Sequence, residues 1–304
     1  MSDAIASLKY FSGLNTVEEL TRKDFSIAKL GSGYKATYPL TVAVNVDISN
    51  DYALSSRGGN TKIISGSMIH SAWGDGDTAF FIDGTVLYLF DGLNTTQLLT
   101  GLTNMARMSY YPVNDRIYMT NGTYIGYYKD LAMHSLAEPN MNYKSVLPAG
   151  RFIAHYNATL FVAKGKVLYR SDALCDHYDT RSGFNVFAND ITMVRPVSDG
   201  LYVSDGKTWF ISDKMENPDA FNKAMVLDAD AIPYTDIDCD GKYVGDGIDE
   251  KVAIWTSTIG VCIGNSKGVV GVPTLGKYIM AQHGIGTAVI RNKDGQVHYL
   301  ATLG

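Results

Sequence analysis

The chain has 304 residues, 46% hydrophobic and 19% charged, which is enough apolar material for one large core or two ordinary ones and excludes a mainly disordered state. Lys and Arg number 26 against 31 Asp and Glu, a net charge of -5 with no basic stripe, which argues against a nucleic-acid reader driven by phosphate neutralisation. Glycine (30) and tyrosine (20) are abundant and proline (8) is modest, as expected for many short strands and tight turns.

Residues 1–40 read as an N-terminal arm. Within it Asn15 to Lys23 predicts a short helix, capped by Asn15 or Thr16 with Glu18 and Glu19 in the first turn. The N-terminus lacks a basic segment followed by an apolar one, and no window approaches a membrane span. The expectation is a chain made in a cytoplasm with no membrane segment. From Thr41 to Ile48 apolar residues alternate with a period of two, which predicts a strand.

From residue 79 onward one local unit recurs: an apolar run, a tight turn ending in glycine, and a second apolar run. The turns fall at Asp83-Gly84, Asn121-Gly122, Lys164-Gly165, Asp205-Gly206, Lys267-Gly268 and Asp294-Gly295. Asn-Gly and Asp-Gly supply the positive φ that two-residue hairpin turns need. The glycines are separated by 38, 43, 41, 62 and 27 residues, a mean step near 42. Hairpins at a period of roughly 40 to 45 residues are the spacing of β-propeller blades. The predicted fold is therefore all-β, a propeller of six blades, alternatively seven, over residues 41–304. In it the strand around Val42 to Ile48 closes the ring against the C-terminal segment.

The stretch Ala43-Val44-Asn45-Val46-Asp47-Ile48, followed by Leu54-Ser55-Ser56-Arg57-Gly58-Gly59, resembles the opening found in a broad group of tailed-phage tail proteins. Further matches follow in order at Ser71 to Gly76, Gly84 to Tyr88, Gly101-Leu102 and Met108 to Gly122, so the resemblance covers residues 43–122. It implies a tail nozzle or hub subunit, a virion structural protein ringing the channel for genome ejection. Its implied partners are further copies of itself in a cyclic ring, a hexamer by the family habit, portal or adaptor proteins, and tail fibre or tailspike proteins. Contact with double-stranded DNA would be transient and non-specific. The implied location is the virion, after synthesis in the bacterial host cytoplasm, and the motifs are structural rather than catalytic.

Among motifs with chemical content, Asp236-Ile237-Asp238-Cys239-Asp240-Gly241 is the sharpest, because D-x-D-x-D-G sets three carboxylates around a turn that a calcium ion can fill. Gly247 stands where an EF-hand loop wants glutamate, and the competing expectation is a strand whose aspartates face water; no cofactor is otherwise expected. Gly264-Asn265-Ser266-Lys267-Gly268 matches G-x-S-x-G by letter, yet Val269-Val270-Gly271-Val272-Pro273 after it predicts a strand and hence a hairpin turn. Cys175, Cys239 and Cys262 form no metal-ligand spacing, and Cys175 to Asp179 reads as a loop between blades. Tyr110, Tyr111, Tyr118, Tyr124, Tyr127 and Tyr128 form a dense cluster that suits either packed blades or an interface. The alternative to a ring subunit is a propeller module that binds or hydrolyses host-surface glycan, with Trp73, Trp209 and Trp255 as stacking platforms. The three tryptophans do not recur at one blade position, which argues against repeated sugar sites.

Overall fold

The structure, a computed structural model, describes residues 11–14, 26–30, 33–40, 46–48, 54–56, 62–75, 78–212, 222–245, 248–277, 284–293 and 296–304. Among them every regular element is a strand, apart from one 3-10 turn at Gly241–Tyr243. Five antiparallel four-stranded sheets follow one another along the chain. The first contains Ile69–Asp75, Thr78–Asp83, Val86–Phe90 and Thr95–Leu99. The second contains Ser109–Val113, Arg116–Thr120, Ile125–Lys129 and Ala132–His134. Phe152–Tyr156, Thr159–Lys164, Val167–Arg170 and Phe184–Val186 make the third. Met193–Val197, Gly200–Ser204, Thr208–Ser212 and Asn222–Leu227 make the fourth. The fifth comprises Ile237–Asp240, Lys251–Ser257, Gly260–Gly264 and Val270–Gly271. A long hairpin of Gly286–Lys293 and Gln296–Leu303 ends the chain.

The core lies between the sheets. Phe80, Ile82 and Leu87 of the first meet Tyr110 and Met119 of the second. Tyr118 of the second meets Ile153, Leu160 and Val162 of the third, whose opposite face sends Phe161, Ala163 and Leu168 against Val194, Leu201 and Ile211 of the fourth. Met193, Tyr202 and Phe210 then pack on Ala253, Trp255 and Cys262 of the fifth. Cys239, Val252 and Ile254 of the fifth meet Ile290, Val297 and Tyr299 of the terminal hairpin. Sheets of four strands paired in chain order, stacked face to face in sequence order, are propeller blades. The chain is all-β and a β-propeller.

This packing explains the runs in the sequence. In Thr159–Lys164, Leu160 and Val162 point to one neighbour and Phe161 and Ala163 to the other. With both faces covered, a period of two gives a continuous apolar run instead of an alternating one. At about 1.5 to 3 kcal/mol for each fully buried large side chain, such a strand contributes several kcal/mol of burial. The outermost strands are different: most of Thr95–Leu99 and Asn222–Leu227 is exposed, with polar residues at the blade edge.

Gly84, Gly122, Gly165 and Gly206 join the second and third strands of the first four blades, with φ of 62°, 93°, 55° and 99°. The fifth blade departs from the expected phase. Gly268, φ 83°, joins its third and fourth strands, and the equivalent middle turn is Thr258-Ile259 before Gly260. That turn lacks an Asn-Gly or Asp-Gly signature, so the glycine count skips it and the interval lengthens to 62. Gly295 lies outside the described residues.

Before the first blade, strands Phe11–Leu14, Ser26–Leu30 and Gly33–Leu40 form a three-stranded sheet with the last of them central. The helix expected at Asn15 to Lys23 lies outside the described residues. Of the strand around Val42 to Ile48 expected to close the ring, residues 42–45 lie outside the described residues, and the described part pairs locally instead of with the C-terminal segment. Val46–Ile48 pairs antiparallel with Leu54–Ser56, and the C-terminal strands pair with each other. Pairing across a short connection costs far less closure entropy than pairing across the whole chain. No helix among the described residues is long and apolar enough to cross a membrane.

Candidate functional site at the propeller axis

The first strands of the second, third and fourth blades lie beside one another, and the first strand of the fifth lies beside Gly286–Lys293. Residues on these strands or just before them therefore converge on the axis. Arg195 is the third residue of Met193–Val197 and shares its face with Met193 and Val197, which pack toward the fifth blade. Its guanidinium meets two aspartates at the entrance of the fifth blade's first strand. Nε and Nη2 lie 2.8 and 2.7 Å from Asp236 Oδ2, Nη2 also donates to the Asp236 carbonyl at 2.9 Å, and Nη1 donates to Asp238 Oδ1 at 2.9 Å.

A carboxylate only 7% exposed must be paired to stay charged, and Asp236 is. Burial pulls the Arg195 guanidinium toward deprotonation, but the charges of Asp236 and Asp238 outweigh it and hold the group above its ordinary value. Across the axis Tyr111 of the second blade feels both Asp238 and Arg195, and burial first, then Asp238, pushes its hydroxyl up to about 12.

Two of the three aspartates of the calcium candidate thus face a guanidinium, and the third, Asp240, lies 3.5 Å from Lys242 Nζ at the exposed end of the strand. The described residues contain no group of three or more His, Cys, Asp or Glu placed to hold a metal. Cys239, between the aspartates, is buried as the strand alternation requires.

A second layer forms where the chain enters the innermost strands. Arg107 precedes the first strand of the second blade, Arg151 that of the third and Tyr234 that of the fifth, and Gly286 opens the terminal hairpin. Arg107 Nη1 donates to the Gly286 carbonyl at 2.9 Å, and Arg151 Nε donates to Tyr234 Oη at 3.4 Å. Both guanidinium carbons stand over the Tyr234 ring, at 5.6 and 5.3 Å from its centroid. The Gly286 N–H donates to the Pro233 carbonyl at 2.9 Å, and Tyr299 Oη to the Thr235 carbonyl at 2.7 Å. Tyr234 has φ 65°, a left-handed backbone that bulky residues rarely adopt. Burial raises its hydroxyl against the opposing pull of Arg151 and Arg107, so it stays protonated at neutral pH.

Sequence reasoning missed Arg107, Arg151 and Arg195, which belong to no motif and lie in separate blades. The available signal was a lone arginine within or immediately before an apolar inner strand.

The other motifs resolve as structure. Gly264 to Gly268 is a hairpin turn whose Asn265 Oδ1 accepts from Lys267 N and Val269 N, at 2.9 and 3.0 Å. His177–Asp179 is a short strand paired with Lys144–Val146, and Asp176 accepts from Tyr118 Oη at 2.7 Å. The six clustered tyrosines pack between blades. Trp73 and Trp209 are partly buried against cores, Trp73 stacked on Phe80 and Tyr110 and Trp209 beneath Lys223 Nζ, and Trp255 is fully buried.

No family model matches the chain, and neither does any curated protein. Among solved structures it is similar to BBS1N in complex with ARL6DN, at 11% identity and a TM-score of 0.49 over 98% of this chain and 94% of that one. It is also similar to the WD40 β-propeller domain of Doa1, at 11% identity and a TM-score of 0.44 over 77% and 82%. The extracellular domain of a one-component system from B. thetaiotaomicron matches at 14% identity and a TM-score of 0.46 over 70% of this chain, which spans only 28% of that protein. With all three TM-scores below 0.5, the fold assignment rests on this chain's own sheets and cores.

Proposed function

We propose that this chain is a structural subunit of a phage tail, a nozzle or hub component that assembles as a cyclic ring around the passage for the genome. The observation that carries the reading is the run of matches over residues 43–122, whose longest piece, Met108 to Gly122, falls on the first hairpin of the second blade. That hairpin is framework: Tyr110 and Met119 pack on the first blade and Tyr118 on the third. The side-chain bridges at the axis add a constraint. Hydrogen bonds from Arg107 and Arg151 cross between non-adjacent blades, so a passage for a duplex would lie between copies and not through one propeller. A ring of this kind needs head-to-tail interfaces whose rotation closes. Portal or adaptor proteins on one side and fibre or tailspike proteins on the other are its proposed neighbours. The test is electron microscopy and mass spectrometry of purified particles: cyclic density accounted for by this chain supports the proposal, and a stable monomer absent from the particles overturns it.

A further inference from the structure

Arg107 and Arg151 share one feature that Arg195 lacks: neither has a carboxylate partner among the described residues. Each guanidinium carries five N–H donors. Arg107 spends Nη1 on the Gly286 carbonyl and Arg151 spends Nε on Tyr234 Oη, which leaves Nε and Nη2 of the first and both Nη groups of the second without a described protein acceptor. Tyr234 Oη accepts from Arg151, so its own proton is free to be donated. None of these atoms is sealed from solvent without a partner. Backbone holds two of the three side chains in place, Arg107 through Gly286, itself bonded to Pro233, and Tyr234 by its left-handed conformation next to that proline, and Arg151 is held by its bond to Tyr234 Oη. Strained backbone of this kind persists where the surroundings over-determine it, and it concentrates at ligand sites.

We propose that Arg107, Arg151 and Tyr234 form an anion clamp at the mouth of the propeller axis that binds the terminal group of a phosphate monoester or inorganic phosphate. Guanidinium forks match phosphate oxygens in pairs, and the phenol supplies a third donor. Charge selects the class. A monoester carries roughly 1.5 to 2 negative charges at neutral pH and meets two guanidiniums, whereas a phosphodiester or a carboxylate carries one. Asp236 is the nearby negative group that acts on Tyr234, and its charge is taken up by Arg195. The clamp goes beyond the ring proposal and stands without it.

The test is calorimetric titration of the full chain, at low salt, with inorganic phosphate, methyl phosphate and dimethyl phosphate. Inorganic phosphate and methyl phosphate are expected to bind saturably, dimethyl phosphate at least about tenfold more weakly, and R107Q or R151Q is expected to weaken methyl phosphate by about tenfold or more. Y234F keeps the ring under both guanidiniums and should weaken binding several-fold. R107K and R151K keep the charges but lose the forks, so affinities below wild type from these variants serve if the Gln variants do not fold. No saturable binding of inorganic phosphate, wild-type affinity in the folded variants, or dimethyl phosphate bound as tightly as the monoester would each overturn the proposal.

Discussion

Replacing Arg195 with methionine isolates the axial ion pairs. Methionine fills much of the same volume but leaves Asp236, whose carboxylate is 7% exposed, and Asp238, 36% exposed, without the cation that both face. Removing one partner of a buried pair costs about 3 to 5 kcal/mol, and the solvent at Asp238 places this case toward the lower end. Unfolding entropy of about 2.1 cal/mol/K per residue over 304 residues is about 0.64 kcal/mol/K, so Tm should fall by about 5 to 8 °C. Urea unfolding and calorimetry at pH 7 read both quantities. The triple variant R195M/D236N/D238N separates a lost pair from a lost shape: with the charges gone, at least half of the stability should return. Millimolar calcium should move the wild-type Tm by less than about 1 °C, because the guanidinium already occupies two of the three carboxylates. A loss in R195M below about 1 kcal/mol, or a triple variant no better than the single, would refute the account. A calcium-dependent rise in wild-type Tm would revive the metal site.

Three further outcomes follow from packing and burial. A methyl group on Gly264 would come 2.5 Å from Tyr202 Cζ, so G264A should cost about 1 to 3 kcal/mol in urea unfolding and disturb the Tyr202 bond to the Asn265 carbonyl; unchanged stability would mean the ring moves freely. Burial lowers the His155 pKa below its ordinary 6.5, so the unfolded chain takes up the proton first and stability falls as pH drops through that value. Wild type should therefore lose more stability between pH 7.5 and 5.5 than H155Q, and identical losses would remove His155 as the cause. Of the three cysteines, Cys239 and Cys262 are buried and burial pushes the Cys262 thiol up to about 11. A thiol reagent should label Cys175 first in the native protein and all three in denaturant; fast labelling of Cys262 in folded protein would contradict the packing.

The blades were legible because each middle strand is apolar on both faces and each of the first four middle turns ends in glycine. Asp83-Gly84 and Asn121-Gly122 announce their hairpins by the positive φ they must adopt. The fifth blade slipped because Thr258-Ile259 carries no such signature, and the local pairing of Val46–Ile48 escaped because alternation predicts a strand without naming its partner. The axial site was illegible for a different reason. Arg107, Arg151, Arg195 and Tyr234 come from four places in the chain and meet only when inner strands of separate blades are brought together. The D-x-D-x-D pattern was visible, but whether a calcium ion or an arginine answers two of its carboxylates depends on Met193–Val197, about forty residues away.

The bridged axis also bears on how the proposed ring would treat DNA. If the duplex runs between copies, it meets outward surfaces, where the net charge of -5 is repeated in every subunit. The unpaired guanidiniums of Arg107 and Arg151 are held inside each axial mouth by bonds to Gly286 and Tyr234 and cannot line up as a phosphate track. Exposed cations elsewhere are partly neutralised locally, as Lys207 is by Asp228 at 2.8 Å and Arg181 by Asp179 at 2.8 Å. Tight duplex binding needs several Lys and Arg on successive phosphates, and the released counterions then make affinity fall steeply with salt. A mildly acidic wall instead repels phosphates over about 8 to 10 Å at physiological salt, near enough to prevent sticking and too short to block passage. Purified protein titrated with a short duplex at low and physiological salt should therefore show only weak, salt-erased association. Sub-micromolar affinity with a steep salt slope would mean that the surface grips DNA, and the low-friction wall would have to be abandoned.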